Sequence, residues 1–172
     1  MIVRLALGLG VGLVVAAGIL AVSVVFDTPS RTFYAEVVVE APREEIWRTL
    51  TDFNRYDEWN PYITSASGRA VPGATVTMSV RGRNGETTER EAEVQIVDPG
   101  RKIEWRSRRF APGVLDRERT FRVLPTDTPG RWRVTHVLRV EGLGTPFIDR
   151  DEERAGGAAM LEALRRHLRS GG

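Results

Sequence analysis

Five consecutive segments between residues 74 and 141 alternate apolar and polar side chains, and this alternation limits the possible folds most strongly. The segments are 74–81, 86–98, 101–109, 115–124 and 131–141, and Gly, Pro and Asn separate each from the next. A period of two residues is typical of β-strands with one buried face. The Asn84-Gly85 pair is typical of a type I′ hairpin turn. The segments therefore predict an antiparallel meander.

Other elements flank the meander on both sides. Before it, the sequence predicts a strand over 33–39, a helix from Pro42 to about Asp52, a short second helix ending at Trp59, and extended chain from Ile63. After it, Asp151 to Arg169 carries apolar residues at helical spacing. A curved sheet of about seven strands must bury one face, and only this closing helix is long enough to cover it. We therefore expect an α+β fold in which a curved antiparallel sheet wraps a long C-terminal helix.

An apolar segment precedes the domain. Residues 5–26 carry no charged side chain, and as a helix they would reach roughly 33 Å, enough to cross a bilayer core. The sequence therefore predicts a transmembrane anchor over 1–27, a linker over 28–32 and one folded domain over 33–170.

The alternative for this segment is a cleaved signal peptide followed by secretion. Arg4 provides a basic start, and Ala21-Val22-Ser23 resembles a cleavage site. If the segment is an anchor, Arg4 favours a cytoplasmic N-terminus and an extracytoplasmic domain, although Arg31 on the other flank weakens that bias.

The composition excludes several functional classes. The chain has no Cys, so it has no disulfide framework, thiol nucleophile or thiolate metal site. Its two His residues lack matching carboxylate spacing, and we predict no metal and no cofactor. A net charge of +2, from 25 basic and 23 acidic residues, suggests no nucleic-acid partner. The sequence leaves the oligomeric state open.

The order of these segments resembles a known family. VVVEAPREEIWRTLTDFNRYDEWNPYI at 37–63 carries an Ala-Pro helix start and a Trp-Asn-Pro turn, and PGATVTMSV, GRKIEWRSR, RERTFRV, GRWRVTHVLRVEG and GGAAMLEALRRHLR follow it. Together they resemble the START-like (SRPBCC) superfamily, specifically its polyketide cyclase/dehydrase and lipid-transport group. The resemblance implies a helix-grip fold around a cavity for a hydrophobic ligand. Many relatives carry a histidine where this chain has Arg119, so no role of that histidine is carried over.

Strand alternation assigns an inward face, because successive side chains point to opposite sides of a strand. Three polar side chains fall on that face, namely Arg90, Arg119 and His136. Each is either satisfied within the protein, directed to solvent at the end of the sheet, or in contact with a ligand. The predicted ligand-binding residues are Val76, Met78, Arg90, Val94, Ile96, Trp105, Arg119, Phe121, His136, Leu138, Met160 and Leu164.

Three functions remain compatible with the sequence. The first is membrane-anchored, non-catalytic binding or transport of a hydrophobic small molecule or lipid. The second is a cyclase/dehydrase-like enzyme in which His136 or Arg119 acts on a carbonyl inside the cavity. The third is an interaction or stress module whose interior is filled by its own side chains.

The anchor has a direct test. We expect the full-length protein to stay with membranes through carbonate extraction, because burying about twenty apolar residues in lipid is effectively irreversible. N-terminal sequencing of the mature protein provides the check. A mature chain that begins at Val24 would show that signal peptidase cuts after Ser23 and that no anchor remains.

Overall fold

The computed structural model describes residues 28–82 and 84–171. In chain order its elements are β1 (Ser30–Glu40), α1 (Arg43–Thr51), a 3-10 helix (Phe53–Glu58), β2 (Ile63–Gly68), β3 (Thr75–Arg81), β4 (Thr87–Asp98), β5 (Lys102–Arg109), β6 (Leu115–Pro125), β7 (Arg131–Glu141), a second 3-10 helix (Thr145–Phe147) and α2 (Arg150–Arg169). The predicted anchor over 1–27 lies outside the described residues. Within them, no helix combines the length and apolar character needed to cross a membrane.

The strands form one seven-stranded sheet in the order β1-β7-β6-β5-β4-β3-β2. Every neighbouring pair is antiparallel, so the predicted meander is confirmed. The first strand returns to pair with the last, and Ser30 lies opposite Glu141. That pairing extends β1 into the segment assigned to a linker over 28–32, because strand hydrogen bonding to β7 begins at Ser30 rather than at Phe33.

The hairpin between β3 and β4 forms where Asn84-Gly85 predicts it, but with a longer loop. The Gly82 N–H donates to the Glu86 carbonyl at 2.7 Å, and Gly85 adopts φ +84°. Three residues therefore lie between the paired Gly82 and Glu86, whereas a type I′ hairpin has a two-residue loop. The loop thus differs from the expected type I′ turn by one residue.

Helix α2 covers the concave face of the sheet. It begins at Asp149, whose carboxylate accepts hydrogen bonds from the Asp151 and Glu152 amides at 3.0 Å each. This cap satisfies two of the amides that a helix start leaves without intrahelical partners. The predicted apolar stripe is buried, since Met160, Leu161, Leu164 and Leu168 all lie in the core.

Aromatic rings fill the interior beneath α2. Phe53 contacts Trp105 edge to face at 5.5 Å between ring centroids, and Trp105 lies 5.4 Å from Phe121. The enclosed cavity beside Trp105 measures about 10 Å³, which is room for about one water molecule. The expected ligand-sized cavity is therefore not open at this position, because these side chains occupy the space.

Ile96 is the one predicted inward residue that the structure places outside. A β-bulge interrupts the pairing of β4 with β5 between Val94 and Ile96, and the extra residue reverses the side on which the following side chains lie. Ile96 is 39% exposed, while Val97 pairs with Ile103 and packs against the core instead.

Truncation variants test this register. We expect Trp105→Ala to lower the free energy of unfolding by about 3 to 5 kcal/mol, because it removes a buried ring from a close-packed core. Ile96→Ala serves as the control and should cost less than about 1 kcal/mol, since Ile96 lies outside. Chemical denaturation of both variants measures the difference. An equal loss of unfolding free energy in the two variants would contradict the assignment of a β-bulge between Val94 and Ile96.

Candidate functional site

Three arginines converge on the concave face near one end of the sheet. Arg117 and Arg119 lie at alternate positions of β6, and Arg90 lies on β4. Alternation explains why they share a face. The same alternation places Arg117 on the face of Arg119, so strand periodicity also indicates an inward Arg117, which is not among the predicted ligand-binding residues. We call these three residues the arginine cluster.

Glu153 is the carboxylate that pairs with this cluster. It lies in the first turn of α2 and is buried. The Tyr62 hydroxyl donates to Glu153 Oε2 at 2.5 Å, and Arg117 Nη2 donates to Oε1 at 3.4 Å. Burial is the main cause that raises the pKa of Tyr62, which keeps the phenol protonated as a donor. No sequence pattern could have linked these residues, because they come from three distant parts of the chain.

A turn places Tyr62 at this site. The side-chain oxygen of Asn60 accepts hydrogen bonds from the Tyr62 amide at 3.0 Å and from the Ile63 amide at 2.8 Å. Pro61 between them cannot donate a backbone hydrogen bond. The Trp-Asn-Pro turn therefore positions Tyr62.

Arg119 lies against the inner face of the Tyr62 ring. Its guanidinium carbon is 5.2 Å from the ring centroid, and the residue is only 4% exposed. Arg119 Nη1 is buried and has no hydrogen-bond partner in the part of the chain that the structure describes, and the same holds for Nε of Arg90 and of Arg117. Burial, followed by the neighbouring Arg117 charge, lowers the pKa of Arg90. The site thus concentrates positive charge in a desolvated place.

His136 lies deeper in the interior. Its ring contacts that of Phe121 at 4.9 Å between centroids, with the two planes tilted by 36°. A Cβ atom on Gly157 of α2 would come within 2.9 Å of His136 Nδ1. Because glycine has no Cβ atom, α2 can lie this close to the imidazole ring. Burial, and then the charge of Arg119, hold the pKa of His136 well below its ordinary value of 6.5. The imidazole is therefore neutral at pH 7.

An open groove lies on the outer side of Tyr62, between α2 and the β3–β4 hairpin. It has a volume of about 230 Å³ and is lined by Pro61, Tyr62, Arg81, Gly82, Glu152, Ala155, Gly156 and Ala159. We call it the α2 groove. A Cβ atom on Gly156 would lie 2.5 Å from two atoms of the Tyr62 ring. Only glycine there lets the ring lie flat against the helix, where it separates the α2 groove from the arginine cluster.

The family model for polyketide cyclase / dehydrase and lipid transport matches residues 30–170. The chain belongs to this family. The resemblance drawn from the sequence is therefore confirmed, and members of this family bind hydrophobic ligands.

Solved structures with the same fold are distant in sequence. A START superfamily protein from Mycobacterium smegmatis is 16% identical with a TM-score of 0.63, over 82% of this chain and 99% of that one. Ginseng major latex-like protein 151 from Panax ginseng is 11% identical with a TM-score of 0.67, over 81% and 97%. The di-domain ARO/CYC StfQ from the steffimycin biosynthetic pathway is 13% identical with a TM-score of 0.64, over 83% and 53%. A comparison with curated proteins gives no match.

The predicted site residues of this family member lie in several different places in the structure. Met78, Arg90, Trp105 and Arg119 line the cavity of about 10 Å³. Val76, Val94, Phe121, Met160 and Leu164 are buried in the main core, and Leu138 lies in a smaller apolar cluster with Phe33, Leu115 and Val140. Whether any of them contacts a ligand stays a prediction. Across 28–82 and 84–171, no group of three or more acidic or His side chains is arranged to hold a metal ion.

The buried, neutral His136 predicts a specific pH dependence of stability. Its pKa in the folded protein lies below the unfolded value, so the unfolded chain binds the proton first as the pH falls. Stability is therefore lost below about pH 6.5, by up to about 1.4 kcal/mol per pH unit. In His136→Gln this loss should disappear.

Chemical denaturation at several pH values between about 5 and about 7.5 measures the effect. The matched control is His167→Gln, because His167 is the other histidine of the chain. An unchanged slope in His136→Gln would contradict the assignment of a neutral buried imidazole.

Proposed function

We propose that the protein binds a hydrophobic small molecule or lipid at one end of its curved sheet, beside a membrane that its N-terminal segment spans. The observation that carries the proposal is the α2 groove of about 230 Å³, whose floor is the ring of Tyr62. Arg119 of the arginine cluster lies against that ring, with its guanidinium carbon 5.2 Å from the ring centroid. An apolar recess that leads to a few convergent polar groups is typical of small-molecule sites.

The α2 groove exists because the helix has small side chains where it passes the hairpin. Ala155, Gly156 and Ala159 line it, and none of them fills the space toward the sheet. Glycine within a helix costs about 1 kcal/mol relative to alanine. The close approach of Tyr62 to Gly156 explains why that cost is tolerated. Rotation of Tyr62 would join the α2 groove to the cavity behind it and make room for a larger ligand.

The end of the sheet that carries the groove also exposes large apolar side chains. Phe110 in the β5–β6 loop is 81% exposed, and Leu143 and Phe147 in the β7–α2 connection are 56% and 88% exposed. The two loops are tied together, since the Leu143 amide donates to the Gly113 carbonyl at 3.1 Å. Exposed aromatic residues at one edge are typical of a surface that contacts a membrane.

The chain reaches the predicted anchor from this same edge. The Gly142 amide donates to the Pro29 carbonyl at 3.0 Å, so the start of β1 lies beside the exposed loops. Phe110 adopts φ +72°, which is uncommon for a residue other than glycine, and the Arg109 guanidinium lies 5.1 Å from its ring centroid. An aromatic ring next to an arginine suits the level of lipid head groups. These contacts support a domain whose groove faces the bilayer.

One observation favours a second function. The aromatic rings beneath α2 leave only about 10 Å³ beside Trp105, and a domain with a filled interior needs no ligand. In this alternative the protein is an interaction module that uses the fold as a scaffold. The two functions differ in whether the purified protein retains an amphiphile.

Substitutions on α2 test the proposal. We expect the full-length protein, purified in mild detergent, to retain a hydrophobic molecule that native mass spectrometry detects. Ala159→Trp should reduce its occupancy by about tenfold or more, because the indole fills the α2 groove and removes apolar contact worth over about 1.4 kcal/mol. Ala158→Trp is the matched control, since Ala158 is exposed on the same helix but does not line the groove.

The melting temperature of both variants should stay close to that of the wild type, because neither Ala158 nor Ala159 is buried. A wild-type protein that retains no hydrophobic molecule, even after incubation with lipid extract, would exclude the binding function and favour the filled module.

A further inference from the structure

The interior of the site has more positive than negative charge. Three guanidinium groups converge there, and Glu153 forms an ion pair with one of them, Arg117. His136 does not add or remove charge at pH 7, since its pKa is held well below 6.5 by burial and by Arg119. Arginine cannot lose its proton in a protein. The surplus charge must therefore be compensated by solvent or by an anion.

The three arginines differ in how they are compensated. Arg117 donates to Glu153 at 3.4 Å, and Arg90 is half-buried, so it is less desolvated than the other two arginines. Arg119 is 4% exposed. It stacks on Tyr62, and its Nη1 atom is buried without a hydrogen-bond partner among the described residues. One buried cation is therefore left uncompensated, and a buried, unpaired charge is costly.

The geometry points to a ligand with a carboxylate head group, which Arg119 binds behind Tyr62 while the apolar tail lies in the α2 groove. This inference rests on the proposed function and adds the chemical class of the ligand. A single carboxylate matches the one uncompensated charge, and its two oxygens fit the donors of a guanidinium. It is also the smaller of the common lipid anions, which suits a position that opens only when the Tyr62 ring moves away from a cavity of about 10 Å³. A phosphate head group shares the anionic chemistry but is larger and carries more charge.

Tyr62 is the element that such a ligand must displace. Its ring contacts Gly156 on the groove side and Arg119 on the inner side. The bond from its hydroxyl to Glu153 at 2.5 Å holds it in place. An incoming carboxylate would replace the ring as the partner of Arg119, so the energetic cost of moving Tyr62 is offset by an ion pair.

A competition between ligands of equal tail length tests the inference. The full-length protein in non-ionic detergent is incubated with hexadecanoate, hexadecan-1-ol and hexadecyl phosphate, and native mass spectrometry measures the occupancy of each. We expect hexadecanoate to bind about tenfold or more tightly than hexadecan-1-ol, because a charge-assisted hydrogen bond in a desolvated site provides at least that factor. Hexadecyl phosphate should bind more weakly than hexadecanoate.

Two variants test whether Arg119 causes the preference for a carboxylate. Arg119→Gln should abolish the preference for hexadecanoate and leave the affinity for hexadecan-1-ol unchanged. Arg106→Gln is the matched control, because Arg106 pairs with Glu118 on the outer face at 2.6 Å and should keep the preference. The melting temperature of Arg119→Gln without added amphiphile should equal or exceed that of the wild type, since the substitution removes an uncompensated buried charge.

The outcomes separate this inference from the proposed function. Equal affinity for hexadecanoate and hexadecan-1-ol would overturn the inference and leave hydrophobic binding intact. Tighter binding of hexadecyl phosphate would overturn the choice of carboxylate. A lower melting temperature of Arg119→Gln would show that the protein already supplies a counter-charge, and would also overturn it. Failure of all three amphiphiles to bind would exclude the proposed function together with the inference.

Discussion

The apolar concave face of the sheet must be kept from water, and one helix performs this task. Seven antiparallel strands present Val76, Val94 and Val134 to the inside, and the stripe of α2 that contains Met160 and Leu164 packs over them. A sheet with one apolar face needs such a cover to be stable. Because α2 is that cover, the residues on its inner face lie against the interior, and these include Glu153 of the site.

The same packing brings charge into a place of low polarity. Glu153 lies in the first turn of α2, so the helix that buries the core also places a carboxylate near Arg117. Tyr62 connects this carboxylate to the turn that follows α1 and the 3-10 helix. Tyr62 therefore helps to close the interior of the domain through this hydrogen bond. In the function that we propose, it is also the side chain that a ligand displaces.

Strand alternation predicted much of this arrangement correctly. It placed Trp105, Phe121 and His136 inside, because side chains on a strand must point to alternate faces. It failed at Ile96, since a β-bulge is a local change of hydrogen bonding that leaves no trace in a pattern of polar and apolar residues. It also gave no reason to expect Tyr62 in the site, because that residue acts through a contact with a helix far along the chain.

By itself the sequence determined the family, the order of the strands and the inward direction of Arg90 and Arg119, since all three follow from local periodicity, turn residues and motifs. Only the tertiary structure decided that Arg119 lies beneath Tyr62 and that Glu153 pairs with Arg117. Only the tertiary structure also decided that Tyr62 binds Glu153, which lies 91 residues further along the chain. The distances in these contacts depend on how the helix crosses the curved sheet, which is a property of the packed chain and not of any one segment.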